Sequence, residues 1–208
     1  MRLLGLTGNI ATGKSTVLEI LREQGAEVVD ADALVHELLG PGTPATAAVV
    51  QAFGERVHAP DGGVNRGVLG QIVFKDPEAL RRLEEIVHPV VGIEICERIA
   101  AARSQSDPPP ALVIEGVKLV ESGMTSLLDE LWIVVARPAV QRQRLVEQRG
   151  MSPEEADARL AAQPSLDKLA LADVIIENSG SLATLRRQVL DAWQRFLSSK
   201  PQEGSNRA

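Results

Sequence analysis

The run GNIATGKS at residues 8–15 constrains this chain more than any other feature. Gly8, Gly13, Lys14 and Ser15 fill the fixed positions of the pattern G-x-x-x-x-G-K-[ST], and each has a physical task. Glycine lets backbone amides turn inward around phosphate oxygens, in conformations that a Cβ obstructs. The helix that follows adds unpaired N–H groups and a partial positive charge at its N-terminus. Lys14 is placed to reach the β- and γ-phosphates of ATP, and the Ser15 hydroxyl to ligate Mg²⁺. Asn9, Ala11, Thr12 and Thr16 complete the expected nucleotide-contacting loop.

The flanks of the loop have the pattern this chemistry needs. Arg2–Thr7 is an apolar run that predicts a buried parallel strand. A helix is expected from Lys14, with Val17, Leu18 and Leu21 on its apolar side, Glu19, Arg22 and Glu23 on its polar side, and Gly25 at its end. Further strands are expected at Glu27–Val29, Ala111–Ile114, Leu131–Ala136 and Asp173–Ile176. Between Ala33 and Arg103 the pattern is mostly helical, with breaks at 40–44, 59–63, 76–77 and Pro89. Two arginine-rich helices, Pro138–Arg149 and Pro153–Ala162, precede the fifth strand, and an amphipathic helix at Leu182–Leu197 follows it. Strands alternating with helices give an α/β fold of three layers around a mainly parallel five-stranded sheet.

Composition narrows the function classes. A length of 208 residues suits one compact kinase-sized domain with a helical insertion. The formal net charge of −6 argues against a nucleic-acid binder. Tyrosine is absent and aromatic residues make up 2%, so the core is expected to rest on Leu, Val, Ile and Ala. Cys96, the single cysteine, excludes an internal disulfide and is expected as a small core or helix residue. The N-terminus carries no signal-peptide pattern and no stretch is long and apolar enough for a bilayer, which predicts a cytoplasmic location.

Several charged residues are candidates for the chemistry. Asp30 and Asp32 follow the second strand at the carboxyl edge of the sheet, where open α/β sheets place ligands. Position alone leaves Asp32 two roles, a carboxylate that orients an acceptor hydroxyl or the N-cap of a helix beginning at Ala33. Glu115 ends the third strand, where a carboxylate holds Mg²⁺ directly or through water, or is merely solvated. Arg142, Arg144, Arg149 and Arg159 lie on the two helices after the fourth strand, and one or two of them suffice to fork phosphate oxygens. His88 precedes Pro89 at a helix junction, which favours a structural role; His36 and His58 have no recognisable partner.

Beyond the loop, ordered segments carry a family resemblance: GLTGNIATGKSTV at 5–17, VVDAD at 28–32, FG at 53–54, NRGVL at 65–69, VHPVV at 87–91, RGMSPEEADARLAAQ at 149–163 and ADVIIENSG at 172–180. Over residues 3–197 the chain resembles the dephospho-coenzyme A kinases. The resemblance implies transfer of the ATP γ-phosphate to the ribose 3′-hydroxyl of dephospho-coenzyme A. It implies a nucleotide-binding core (1–31, 111–137 and 172–199), a helical acceptor-binding region (32–104), a lid (138–171) and a disordered tail (200–208). Asp32 becomes the preferred catalytic carboxylate, with Lys14, Arg144 and Arg149 beside it in the transfer. Arg66, His88 and Glu115 become acceptor-site candidates, and Asn178 falls near adenine. A monomer is expected. The rivals are another P-loop nucleoside or nucleotide kinase and a nucleotide-sensing binding protein.

Three departures from the family pattern bear on affinity. The loop common in the family is GGIGSGKS, whereas this chain has Asn9, Ala11 and Thr12. VKLVES at 117–122 stands where PLLFE is usual, with Glu121 keeping the acidic position, and Val64-Asn65-Arg66 stands for Leu-Asp-Arg.

Overall fold

The computed structural model describes residues 1–163 and 166–199, so the tail expected at 200–208 lies outside the described residues. In chain order the elements are β1 (Arg2–Gly8), α1 (Lys14–Glu23), β2 (Glu27–Asp30), α2 (Ala31–Leu38), α3 (Pro44–Phe53), α4 (Arg66–Val73), α5 (Pro77–Arg103), β3 (Ala111–Glu115), β4 (Glu130–Val135), α6 (Pro138–Glu147), α7 (Pro153–Ala161), β5 (Val174–Glu177) and α8 (Leu182–Ser198). The chain forms two compact units, residues 1–29 with the chain from 102 onward, and residues 30–101.

In the first unit the strands line up in the order β2-β3-β1-β4-β5. The central strand β1 is parallel to β3 and β4, and β5 is parallel to β4. Every residue of β1 and β3 is buried, as their near-continuous apolar sequences require of strands covered on both faces. The register sets Leu6 beside both Glu115 and Trp132, and Gly8 beside Val134. The C-terminal ends of β1, β3 and β4 therefore meet at one edge of the sheet, and the loop after β1 starts there.

One face of this sheet packs against α1 and α8. Leu4, Leu6, Val17, Leu21, Trp132, Val134, Val189 and Phe196 form a single buried cluster. The buried hydrophobic residues are Leu, Val, Ile and Ala as expected, apart from one aromatic group: Trp132 meets Phe196 edge-on at 6.1 Å between ring centroids, and Trp193 lies 5.7 Å from Phe196. Few aromatics are present, yet three of them sit together where a large flat side chain fills most space. Arg2 caps this arrangement. Its guanidinium lies 4.2 Å over the Phe196 ring and donates to the carbonyl of Ser199 at 2.9 Å and to that of Phe196, serving acceptors that the end of α8 leaves without helical partners.

The second unit is helical. Thr43 caps α3 by accepting from Thr46 N, and Asn65 caps α4 by accepting from Val68 N at 3.1 Å. Asn65 thus does the capping work that an aspartate could also do at this position. A break was expected at Pro89, but α5 runs through it from Pro77 to Arg103. Proline removes one backbone donor and disfavours the interior of a helix; the helical pattern on both sides outweighs that cost. His88 accordingly lies within α5 and not at a helix junction. Cys96 lies on the same helix and is exposed, contrary to a core placement. His58 does have a partner, the carboxylate of Glu55 at 3.4 Å.

Candidate active site

The loop after β1 wraps around the Lys14 side chain. Lys14 Nζ donates to the carbonyl of Gly8 at 3.0 Å and lies 3.5 Å from Glu115 Oε1, at the end of β3. Both partners are set by the sheet: Gly8 ends β1 and Glu115 ends its neighbour. Glu115 is buried and the Lys14 side chain is mostly so, which strengthens their attraction relative to a surface pair. Ser15 follows on the first turn of α1 and is exposed. Gly13 caps that helix at φ 93°, in the left-handed region, and a Cβ there would come 2.1 Å from Asn178 Nδ2. Glycine is required at 13 on both counts.

The departures within the loop have distinct structural meanings. Asn9 is not among the residues with positive φ, so its side chain imposes no backbone strain. Ala11 does sit at φ 55°, the single non-glycine residue in that region among those described. That conformation disfavours a side chain by about 1 kcal/mol or more. Its methyl is buried with Leu145 of α6 and Ala156 of α7, and Ile10 packs against the same cluster. The burial offsets part of the strain and ties the loop to the two helices that follow β4. Thr12 is 1% exposed and its hydroxyl donates to the carbonyl of Asn9 at 2.9 Å, closing the loop on itself.

Arg144 and Asn178 brace the loop from behind. Arg144 Nη1 donates to the carbonyls of Ala11 and Thr12, each at 3.1 Å, and Nη2 to the carbonyl of Asn178 at 2.8 Å. Asn178 Nδ2 also donates to Thr12 O at 2.8 Å. Holding the carbonyls of residues 11 and 12 outward leaves the neighbouring N–H groups free to face phosphate. Sequence placed Arg144 among four helix arginines of which one or two suffice for phosphate; in the structure its guanidinium donates to backbone carbonyls of the loop and of Asn178.

The other arginines differ. Arg142 forks onto Asp157, with Nε–Oδ1 at 2.7 Å and Nη2–Oδ2 at 3.1 Å, joining α6 to α7. Arg149 is exposed in the turn after α6 and has no hydrogen-bond or ion-pair partner among the described residues, and Arg159 is exposed on the last turn of α7. Gln163 is a loop contact that sequence reasoning missed: its Oε1 accepts from Ile10 N at 3.1 Å. The residue closes the RGMSPEEADARLAAQ segment, so its position was visible but a glutamine after a helix has no signature of its own.

At the end of β5, Glu177 precedes Asn178. Hydrogen bonding from Ser179 holds its carboxyl below the usual range, with smaller help from the nearby charges of Arg137 and Arg144. A carboxyl with a depressed value stabilises the fold above its unfolded pKa and loses that contribution as pH falls through the folded one. Glu177 is exposed, so the effect stays below about 1 kcal/mol. Chemical denaturation of wild type and Glu177→Gln should accordingly show a small deficit for the variant at neutral pH that vanishes in acid. A deficit constant with pH would reject this account.

Asp30 and Asp32 resolve one open question. Asp30 has extended backbone geometry and accepts from Ala33 N at 2.8 Å, so it is the N-cap of α2. The helix begins at Ala31, which puts Asp32 within its first turn, exposed and not the cap. Arg66 is the first residue of α4 and is exposed, and His88 is half-buried on α5. In the 117–122 segment Leu119 is buried and Glu121 exposed.

Residues 2–184 match the family model described as dephospho-CoA kinase. The chain belongs to the dephospho-CoA kinase family. A member from Symbiobacterium thermophilum is 50% identical over 195 residues, covering 93% of this chain and 81% of the relative. Among solved structures, a protein from Thermus thermophilus superposes with a TM-score of 0.79 at 32% identity, over 95% of this chain and 98% of that one. The dephospho-CoA kinase from Campylobacter jejuni gives a TM-score of 0.67 at 27% identity, over 94% and 97%. Family membership makes the chain a kinase with an α/β P-loop fold, and ATP its phosphoryl donor. No helix among the described residues is long and apolar enough to cross a membrane.

Proposed function

We propose that this chain transfers the γ-phosphoryl group of ATP to the 3′-hydroxyl of the ribose of dephospho-coenzyme A, releasing coenzyme A and ADP. The observation that carries the reading is the Lys14 ammonium, held between Gly8 O and Glu115 at the end of a glycine loop, in a member of this family. The transfer is in-line: the 3′-oxygen bonds to the γ-phosphorus, the bond to the β–γ bridging oxygen breaks, and ADP leaves with that electron pair. Asp32 orients the hydroxyl and takes its proton, while Lys14 offsets charge on the transferring group.

Ser15 and Glu115 offer a hydroxyl and a carboxylate, hard oxygen donors that fit Mg²⁺ directly or through water. Ser15 and Glu115 would hold such an ion, which would supply positive charge to offset that of the phosphates. Gly8, Asn9, Ala11, Thr12, Gly13 and Thr16 supply the loop that takes the phosphates, and Asn178 borders adenine. Arg149, exposed and without a partner among the described residues, is the cation that a lid of residues 138–171 brings to phosphate. Arg144 acts by bracing the loop. Residues 32–104 receive the acceptor, with Arg66 and His88 on its path, and the protein works as a cytoplasmic monomer.

The test is ADP release with dephospho-coenzyme A, AMP or uridine as acceptor. Release is expected with dephospho-coenzyme A well above the other two. Preference for AMP or uridine would make this a nucleotide or nucleoside kinase. Nucleotide binding without acceptor-dependent release would make it a binding protein.

A further inference from the structure

Beside the loop, at the α6–α7 pair, lies a cavity of about 290 Å³ that shares Gly8, Asn9 and Thr12 with the phosphate loop and extends past them to residues given no role above. It is bounded by the ends of β1 and β4, by α6 and by the end of α7, and Gly8 and Asn9 of the loop also line it. Its walls are mainly apolar, with Val117, Ile133, Ala136, Leu160 and Leu169 among them, its polar lining is neutral (Thr7, Asn9, Thr12 and Gln163 besides Gln141), and no charged side chain lines it among the described residues. Gln141 also lines it, is only 5% exposed, and its carboxamide has no hydrogen-bond partner among the described residues. Its unpaired amide donors and carbonyl acceptor match a ligand that offers the same groups in return.

These features select a ligand chemistry. Phosphate would find no cation to balance it, and a purine would find no aromatic face. The volume is at the low end for a small-molecule site, too small for a whole nucleotide conjugate and suited to a segment of chain. A neutral aliphatic chain that carries secondary amides satisfies both the walls and Gln141. The cavity also adjoins the residue that Lys14 reaches, since Gly8, whose carbonyl accepts from Lys14 Nζ, is one of its lining residues. We propose that this cavity is a subsite for the amide-bearing aliphatic arm of the acceptor, with Gln141 as its hydrogen-bonding anchor. The proposal rests on the reading that the acceptor is dephospho-coenzyme A, whose pantetheine arm is such a chain.

Steady-state kinetics on the full chain test it. Gln141→Leu keeps the side-chain bulk and removes the amide. It should raise the KM for dephospho-coenzyme A about tenfold, the size expected for one lost buried hydrogen bond, with kcat and the KM for ATP near wild type. Ala136→Leu narrows the cavity without touching Gln141 and should raise the same KM while the melting temperature holds. Unchanged acceptor KM in both variants overturns the subsite while leaving the kinase reading intact. An equal fall in kcat and in ATP affinity would overturn it too, since that is the mark of a structural glutamine. If wild type fails to phosphorylate dephospho-coenzyme A at all, the kinase reading fails first and takes the subsite with it.

Discussion

Lys14→Ala is expected to lower kcat/KM for ATP by about two to three orders of magnitude, the range seen when a positioned charge donor to a transition state is removed. Two losses combine in it. The ammonium no longer offsets charge on the transferring phosphoryl group, and the loop loses the bond that ties Lys14 to Gly8 O. Glu115, 3.5 Å away, loses its ion-pair partner as well. Because both side chains are largely buried, this adds a cost in stability of the order of 1 kcal/mol or more. Thermal melting without nucleotide measures that second term by itself, and ATP titration followed by single-turnover kinetics measures the first. Lys14→Ala with unchanged kinetics would remove the phosphate-loop assignment altogether. A lowered melting temperature with normal kinetics in the folded fraction would make Lys14 a structural cation only.

How much of this was readable from the residues depended on whether a signal was local. The strands were, since fully buried parallel strands leave long apolar runs: β1 and β3 end within a residue of the expected positions. Gly13 was legible because its left-handed conformation admits little else. Pro89 misled because a single proline is a local breaker, whereas the continuation of α5 is decided by the turns on both sides. Asp30 and Asp32 could not be told apart by position because both are good capping residues, and only the backbone geometry at 30 and the bond from Ala33 N assign the cap. Arg144, Asn178 and Gln163 act on the loop from more than 130 residues away in sequence, through carbonyl and N–H groups that no side-chain pattern reveals. Ala11 was visible as a departure. Its compensation, a methyl buried under α6 and α7, was not.

The separation of Asp30 from Asp32 makes the second large prediction a clean one. Asp32→Asn is expected to reduce kcat by about two to four orders of magnitude, the usual worth of a positioned proton acceptor, with ATP affinity and melting temperature near wild type. The structural task that competes for an aspartate here, capping α2, is already done by Asp30, and the substituted asparagine would keep the size of the side chain on an exposed first turn. Asp30→Ala supplies the opposite pattern: it removes the cap, should cost about 0.5–2 kcal/mol of stability, and should leave turnover of the folded enzyme largely intact. Reading both variants by denaturation and by dephospho-coenzyme A kinetics separates the two carboxylates. Near-normal turnover in Asp32→Asn would move the proton acceptor elsewhere, and collapse of turnover in Asp30→Ala at full stability would move it two residues back along the chain.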